Sequence, residues 1–226
     1  GENENEILID GFYDGILPLE KEKDEALAAS ADLLDEEEWK TAYDVKKFKW
    51  DLTGLDLWKK MLTVPTLNID GIKGGYIGEG SKTLLPHEVT VKMDIRLVPG
   101  MKPDEMLKKV RKHLDSRGFQ DIEIEEYGKP YDPSSVPYHS SSVQTLKKTY
   151  ELMGTIPQIW PWNPGSAPYF LFEKILGIPY VTGGMGHGSR QHSSNEYCTV
   201  KGVLDFEKSM IYYLKLFPEY ADSKKK

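Results

Sequence analysis

The sequence is poor in cysteine and contains no long apolar run. Its single cysteine, Cys198, excludes an internal disulfide and any metal site built from several cysteines. One thiol is consistent with a reducing compartment, and we expect a cytoplasmic location. No apolar stretch approaches the roughly 20 residues that cross a bilayer, and no signal peptide is visible, so no membrane partner is expected.

A basic excess is also absent. The 36 acidic and 29 basic residues give a formal net charge of −7, which argues against nucleic acid as a partner and fits ordinary solubility. The 226 residues are 39% hydrophobic, enough for a substantial core in one or two domains. The chain begins at Gly1 without an initiator methionine, which suits a fragment or a processed chain better than a natural N-terminus.

Helix and strand patterns alternate before residue 128. Residues 7–9 predict a short strand, and residues 19–45 predict one or two helices, with the acidic run 35–38 at a helix start. Two more helices are predicted over 56–62 and 102–117, and further strands over 67–70, 89–97 and 121–127. Together they predict a two-layer α/β fold of the α+β type, an antiparallel sheet with helices on one face.

The segment from Val89 to Leu97 has the most regular pattern. Apolar residues occupy its odd-numbered positions, and polar residues, including Arg96, occupy its even-numbered positions. A period of two predicts a half-buried strand whose odd-numbered side chains face the core.

A proline-rich segment, residues 128–137, is the best candidate for a linker. It predicts two domains, residues 1–135 and residues 136–226. Beyond the linker, helices are predicted over 141–153, 167–176 and 203–217, with a short strand over 178–181.

The loop after this short strand carries the strongest chemical signal. Residues 183–197 read GGMGHGSRQHSSNEY, a glycine-rich loop in which Ser, Asn and Glu follow His192. A metal-binding histidine needs such neighbours, because they can fix the orientation of its imidazole ring. A catalytic zinc takes about three protein ligands and a water, so His192 alone is not a zinc site.

The other four histidines are weaker candidates. His113 forms a His-x-Asp pair with Asp115, but both lie in a predicted helix, where positions two apart point in different directions. We expect His87 and His139 to be structural or exposed, and His187 to lie on the surface of the loop.

Several ordered motifs resemble those of the M20 family of zinc peptidases and amidohydrolases. The His192 loop resembles the family's last metal-ligand motif, and Leu176-Gly177-Ile178-Pro179 precedes it as it does in that family. The turn 163–168 resembles the family's Gly-Ser-x-Pro turn. Pieces between residues 71 and 100 resemble the lid, or dimerisation, domain: Gly71-Ile72-x-Gly74-Gly75, Lys82-Thr83-Leu84-Leu85-Pro86 and Asp94-Ile95-Arg96-Leu97-Val98-Pro99-Gly100. Residues 11–14 are similar to the carnosinase-like dipeptidase branch.

The resemblance implies roles for seven residues. His192 would be a metal ligand, with Asn195 and Glu196 supporting it. Arg96 would hold a substrate carboxylate through two parallel hydrogen bonds, near Thr83. The backbone N–H groups of Gly165 and Ser166, at the start of a predicted helix, would receive the same carboxylate. From the residues alone, Arg96 equally fits a solvated sheet face and Ser166 a helix N-cap.

The resemblance also implies that part of the active site is missing. Complete family members carry a His-x-Asp ligand, a bridging aspartate, paired glutamates and a general base in their N-terminal half, and none has a counterpart here. The chain would therefore be the C-terminal portion: residues 1–135 a lid domain with its leading segment, and residues 136–226 the last part of an α/β zinc-peptidase catalytic domain.

In the intact enzyme, the resemblance implies that two zinc ions activate a bridging water for attack on the amide of a dipeptide or N-acyl amino acid. A glutamate from the missing N-terminal half would move the proton. The present chain would supply His192 and the carboxylate clamp, and we expect it to be inactive alone.

Two other functions are considered. The chain could be a non-catalytic dimerisation or binding module, which an upstream sequence without metal ligands would support. A serine hydrolase using Ser189 or Ser166 with His192 is weaker, because neither serine lies in a Gly-x-Ser-x-Gly turn. An exposed edge of the lid sheet predicts a homodimer both for the metallohydrolase and for the non-catalytic module.

Overall fold

The computed structural model describes residues 6–222, which form helices and two small antiparallel sheets. The helices are α1 (Lys21–Ala31), α2 (Glu36–Ala42), α3 (Gly54–Thr63), α4 (Pro103–Ser116), α5 (Ser141–Leu152) and α6 (Val200–Asp222). The strands are β1 (Thr66–Gly74), β2 (Val89–Arg96), β3 (Gly188–Ser189) and β4 (Tyr197–Cys198). The predicted α+β class is confirmed. None of the described helices has the length and apolar character needed to cross a membrane.

Local signals account for where the helices begin. The Asp35 carboxylate accepts the Glu38 backbone N–H at 2.9 Å, so the acidic run does begin a helix, α2. Pro103 opens α4, where its missing N–H is not needed. Gly118 follows α4 with a φ of 85°, a conformation that glycine adopts without a Cβ clash.

The strands β1 and β2 pair with a bulge in β1. Ile69 lies opposite Met93, and Ile72 lies opposite Val91, with a register shift between Ile69 and Gly71. The extra residue, Asp70, places Ile69 and Ile72 on the same face, which they would not share in a regular strand. The bulge therefore makes one face of the sheet continuously apolar.

The burial predicted for β2 is wrong over most of its length. Val89, Val91 and Met93 are 59%, 45% and 52% exposed, and only the end of the strand packs against a core. That core contains Phe12, Val98, Met101 and Met106, with Ile95 and Leu97 beside it. This core reaches only one end of the two-stranded sheet. The alternation in β2 therefore indicates an apolar face, but no described residue covers most of that face.

Several predicted elements are absent. Residues 7–9, 121–127 and 178–181 contain no strand, and Ile122 and Ile124 are exposed. A strand needs a hydrogen-bonded neighbour, and these segments have none within residues 6–222. The helix predicted over 167–176 is reduced to a five-residue π-helical turn, Leu171–Ile175. Starting a regular helix costs conformational entropy. A segment this short does not offset that cost unless one of its faces packs against the rest of the protein.

A second core cluster joins the two halves of the chain. Leu27, Ala31, Trp58 and Leu62 are buried, and Trp39 and Trp160 pack against them. The ring centroids of Trp39 and Trp58 are 5.3 Å apart, and those of Trp58 and Trp160 are 6.0 Å apart. Trp160 lies beyond the predicted linker, so residues on both sides of the linker share one core.

The linker itself is held by side-chain contacts. Lys174 Nζ lies 2.6 Å from Asp132 Oδ2, and the Ser134 hydroxyl donates to Glu173 at 2.5 Å. The almost fully buried Lys23 donates to the Ser135 hydroxyl at 2.7 Å. The domain boundary at residues 135 and 136 stays a prediction.

The accessible surface is large for a chain of this mass. It measures 16,095 Å², whereas a compact 25.8 kDa monomer would expose about 10,500 Å². Part of the excess is apolar and lies on α6: Val200, Val203, Leu204, Ile211 and Leu214. Apolar surface of this extent is typical of an interface with further polypeptide.

Candidate metal and carboxylate site

His192 lies in the loop that joins β3 to β4. Gly188 pairs with Cys198 and Ser189 with Tyr197, so residues 190–196 form the connection. His192 is exposed there. Its backbone N–H donates to Glu196 Oε2 at 3.2 Å, so the glutamate braces the backbone of the loop rather than the imidazole ring.

The backbone of this loop is unusual. Arg190, His192 and Asn195 have φ values of 64°, 62° and 63°, in the left-handed region that side chains other than glycine seldom adopt. Such conformations cost free energy and are enriched at binding and catalytic sites. His and Asn are residue types enriched in this region and Arg is not, so the sequence alone does not indicate three left-handed residues in one loop.

Neighbouring residues fix the stem of the loop. A Cβ on Gly188 would lie 2.4 Å from the Tyr197 carbonyl oxygen, so the close strand pairing requires glycine. The Thr199 N–H donates to the His187 carbonyl at 3.0 Å. At the other end of the loop, the hydroxyl of Tyr43, the residue that follows α2, donates to Gln191 Oε1 at 3.3 Å. The loop is therefore supported at its stem and near His192.

The other histidines are engaged differently. His187 Nδ1 lies 3.3 Å from the Thr199 hydroxyl, which ties its ring to the stem of the loop. In α4, the Asp115 carboxylate is paired with Arg111 at 2.7 Å, so the His-x-Asp pair around His113 has a structural contact of its own.

The described residues lack the set of donors that a catalytic metal needs. No group of three or more His, Cys, Asp or Glu residues with metal-binding geometry occurs in residues 6–222. An exposed imidazole on a braced loop fits the role of one ligand. The described residues do not form a complete site, so further donors would have to come from another polypeptide segment.

Arg96 is paired with Asp94, a residue of the same motif to which the resemblance assigned no role. Its Nε donates to Asp94 Oδ2 at 2.6 Å, on the polar face of β2. Asn68, opposite Asp94 in the ladder, donates to Asp94 Oδ1 at 3.2 Å. The spacing of two between Asp94 and Arg96 could have indicated this pair, since such residues share a strand face.

The bulge residue Asp70 adds a second carboxyl group. Desolvation raises the pKa of Asp70 above its ordinary value of 3.8, as do a hydrogen bond and repulsion from Asp94, while Arg96 lowers it to a smaller extent. A carboxyl–carboxyl hydrogen bond needs a proton, so the pair disfavours two negative charges.

We expect Asp70→Asn to raise the melting temperature at pH 7. The pKa of Asp70 is higher in the folded state than in the unfolded state. Its contribution to stability is therefore fully present below pH 3.8, the unfolded pKa, and is lost as the pH rises through the pKa of the folded state. Asparagine cannot ionise, so the variant should lose its advantage below pH 3.8. Melting curves of both proteins from pH 3 to pH 8 test this, with Asp121→Asn as an exposed control. An equal pH dependence in wild type and variant would contradict it.

The remaining predicted site residues lie in exposed segments. Thr83 is in the loop between β1 and β2, and Gly165 and Ser166 follow Trp162. The Gly165 N–H donates to Asn163 Oδ1 at 2.7 Å. No helix starts at Ser166, because the only helical turn nearby begins at Leu171, so the expected helix N-terminus at this turn is wrong. Among the hydrogen bonds and ion pairs of residues 6–222, none joins Thr83, Arg96, Ser166 and His192 to one another.

Comparison with known proteins defines the class. Residues 24–121 match the family profile described as the peptidase dimerisation domain of the M20 group. Residues 24–121 therefore belong to the M20 peptidase dimerisation domain family, the sequence relatives of the chain include metallodipeptidases, and a structural neighbour is an M20 family metallo-carboxypeptidase. The resemblance predicted from the motifs is confirmed.

Two sequence relatives are dipeptidases. The Cys-Gly metallodipeptidase DUG1 of Candida albicans is 30% identical over 233 residues, covering 93% of this chain and 44% of that protein. The human Beta-Ala-His dipeptidase is 38% identical over 109 residues, covering 48% of this chain and 21% of that protein. The chain thus spans less than half the length of these curated relatives.

Two solved structures have a similar fold. The M20 family metallo-carboxypeptidase Sso-CP2 from Sulfolobus solfataricus superposes with a TM-score of 0.80 at 31% identity, covering 95% of this chain and 49% of that one. Human carnosine dipeptidase 1 gives a TM-score of 0.68 at 25% identity, covering 96% of this chain and 46% of that one.

Proposed function

We propose that this chain is part of a zinc-dependent hydrolase that cleaves the amide bond of dipeptides or N-acyl amino acids. The observation that carries the proposal is the exposed His192, held in a left-handed conformation at the tip of a braced loop. It occurs in a chain whose relatives are named metallodipeptidases. Strained residues are enriched at binding and catalytic sites, and histidine is the commonest metal ligand, so an exposed imidazole on a strained, braced loop supports this role.

Each proposed residue has its own task. His192 donates one imidazole nitrogen to the metal, and Glu196 holds the loop backbone that presents it. Arg96 binds the substrate carboxylate, with Thr83, Gly165 and Ser166 as further contacts to it. With the N–H of Gly165 used by Asn163, the clamp depends on a rearrangement of that turn when substrate binds.

The proposed cofactor is zinc, two ions per complete site. Bound zinc would polarise the amide carbonyl and lower the pKa of a bound water. The ligands beyond His192 and the general base are proposed to lie in a catalytic half that this chain does not contain. We expect the chain alone to be inactive for that reason.

The uncovered apolar surfaces support such a partner. The exposed α6 residues Val203, Leu204 and Ile211 lie beyond the linker, in the part assigned to the catalytic domain. We propose that the catalytic half covers the α6 surface.

A homodimer is proposed through the free edge of the β1–β2 sheet. Neither strand has a second neighbour in residues 6–222, and edge strands pair readily with a copy of themselves. Sedimentation of the chain at increasing concentration tests this, and a monomer at every concentration would exclude it. A cytoplasmic location remains a prediction from the single cysteine.

The enzymatic function is tested on the protein with its catalytic half present. We expect hydrolysis of a dipeptide such as carnosine or Cys-Gly, its loss on treatment with a chelator, and its recovery with zinc. The 226-residue chain, assayed beside it, should show no hydrolysis.

The alternative is a non-catalytic dimerisation or binding module without a metal site. The absence of a metal-binding group of three in residues 6–222 fits this function too. The same experiment separates the two, because the module predicts neither bound zinc nor hydrolysis when the upstream segment is joined.

A further inference from the structure

The polar face of the β1–β2 sheet carries a connected row of side chains beside Arg96. Asp94 and Arg96 are two apart on β2, and Asn68 and Thr66 lie opposite them on β1. Hydrogen bonds link Arg96 to Asp94 at 2.6 Å and Asn68 to Asp94 at 3.2 Å. The Asn68 amide also lies 3.4 Å from the Thr66 hydroxyl.

The contact with Asp94 uses one particular side of the guanidinium. A guanidinium has five N–H donors in a rigid plane, one on Nε and two on each Nη. The 2.6 Å bond runs from Nε to Asp94 Oδ2, so the edge nearest the strand is occupied. A second carboxylate is then best received at the opposite end, where the two Nη groups can donate in parallel.

Asp94 is itself fixed on both of its oxygens. Oδ2 accepts from Arg96, and Oδ1 accepts from Asn68 across the strand pair. Both contacts follow from the sheet, because residues two apart share a face and directly paired residues face each other. An exposed arginine on a strand would otherwise sample many rotamers and lose that entropy on binding.

We propose that Asp94 is a positioning residue that anchors Arg96 through Nε and directs its Nη1–Nη2 edge toward a substrate carboxylate. The assignment rests on the proposed function of Arg96 as the clamp. Asn68 orients Asp94 in turn. The bulge residue Asp70 has no hydrogen bond to Arg96 among the described residues; it interacts with Asp94 and adds negative charge, which opposes the binding of an anion.

Two matched deletions separate anchoring from charge. Asp94→Ala and Asp70→Ala each remove one carboxyl group near Arg96, but only the first removes the acceptor of the Nε–H. The readouts are the ¹⁵N–¹H signal of Arg96 Nε in the 226-residue chain and its titration with N-acetylglycine, which carries one carboxylate. Far-UV circular dichroism checks that each variant is folded.

We expect Asp94→Ala to shift the Nε–H signal and speed its exchange with water, while Asp70→Ala, which leaves the acceptor of the Nε–H in place, should change both much less. N-acetylglycine should bind Asp94→Ala about two- to fivefold more weakly than Asp70→Ala, the range for an exposed ion pair. Asp94→Asn should recover part of the difference, because its amide oxygen still accepts the Nε–H without a charge.

The outcomes distinguish this proposal from the clamp itself. An Nε–H signal unchanged by Asp94→Ala, or equal binding to the two alanine variants, would overturn the anchoring role. If no protein binds N-acetylglycine but the signal still depends on Asp94, the clamp fails while the anchor stands.

Discussion

Trp58→Ala is expected to lower the free energy of unfolding by about 3–5 kcal/mol, the usual cost of deleting a large aromatic side chain from a core. Trp58 is only 1% exposed and contacts the rings of Trp39 and Trp160. The deletion leaves a cavity between α1, α3 and the segment beyond the linker. These elements must then either separate or move together to fill the cavity. Urea denaturation followed by far-UV circular dichroism measures the change.

A second tryptophan provides the control for Trp58. Trp50 is only partly buried and lies beneath the ammonium groups of Lys49 and Lys60, at 5.2 and 4.6 Å from its ring centroid. Trp50→Ala should cost about 1 kcal/mol or less, the value of an exposed cation–π contact. Equal effects of the two substitutions would show that the cluster around Trp58 does not join the two halves.

The largest effect on activity is expected from His192→Ala in the protein with its catalytic half present. Loss of a metal ligand should reduce kcat/KM by about 100-fold or more, since removing a mere supporting partner already costs 10- to 100-fold. The bound metal, measured by elemental analysis after dialysis, should fall in parallel. His192 is exposed, so the folded state should keep its stability.

His187→Ala is the matched control, because it removes an imidazole from the same loop. His187 contacts Thr199 at the stem, where we expect a small effect on stability and little on metal content. If both variants keep full activity and metal, His192 is not a ligand and the non-catalytic module becomes the better explanation.

The helices illustrate what local sequence can predict. The start of α2 followed from an acidic run, and the predicted helices 102–117 and 141–153 agree with α4 and α5 to within a residue at each end, because the signals for a helix act within a few residues along the chain. The sequence predicted the strands β1 and β2, the second from its alternating pattern. It did not predict the bulge at Asp70, because nothing in the local sequence requires an extra residue there.

The roles of the predicted site residues stay predictions, and only their local structure can be compared with expectation. The motif around His192 indicated a presented imidazole, and the structure places it at an exposed loop tip. The turn at Gly165 and Ser166 was expected to begin a helix, and the structure has none there. A motif specifies residue types, whereas a helix also needs a surface to pack on.

The sequence by itself determined the chemistry that this chain can offer: one candidate metal-binding histidine, an arginine on a polar strand face and no internal disulfide. These follow from residue type and short-range spacing. The tertiary structure alone decided that Asp94 and Asn68 hold that arginine, that Trp160 joins the core of α1 and α3, and that most of one sheet face stays uncovered. Contacts between residues distant in sequence depend on how the elements pack, and periodicity shows that a face is apolar without showing what covers it.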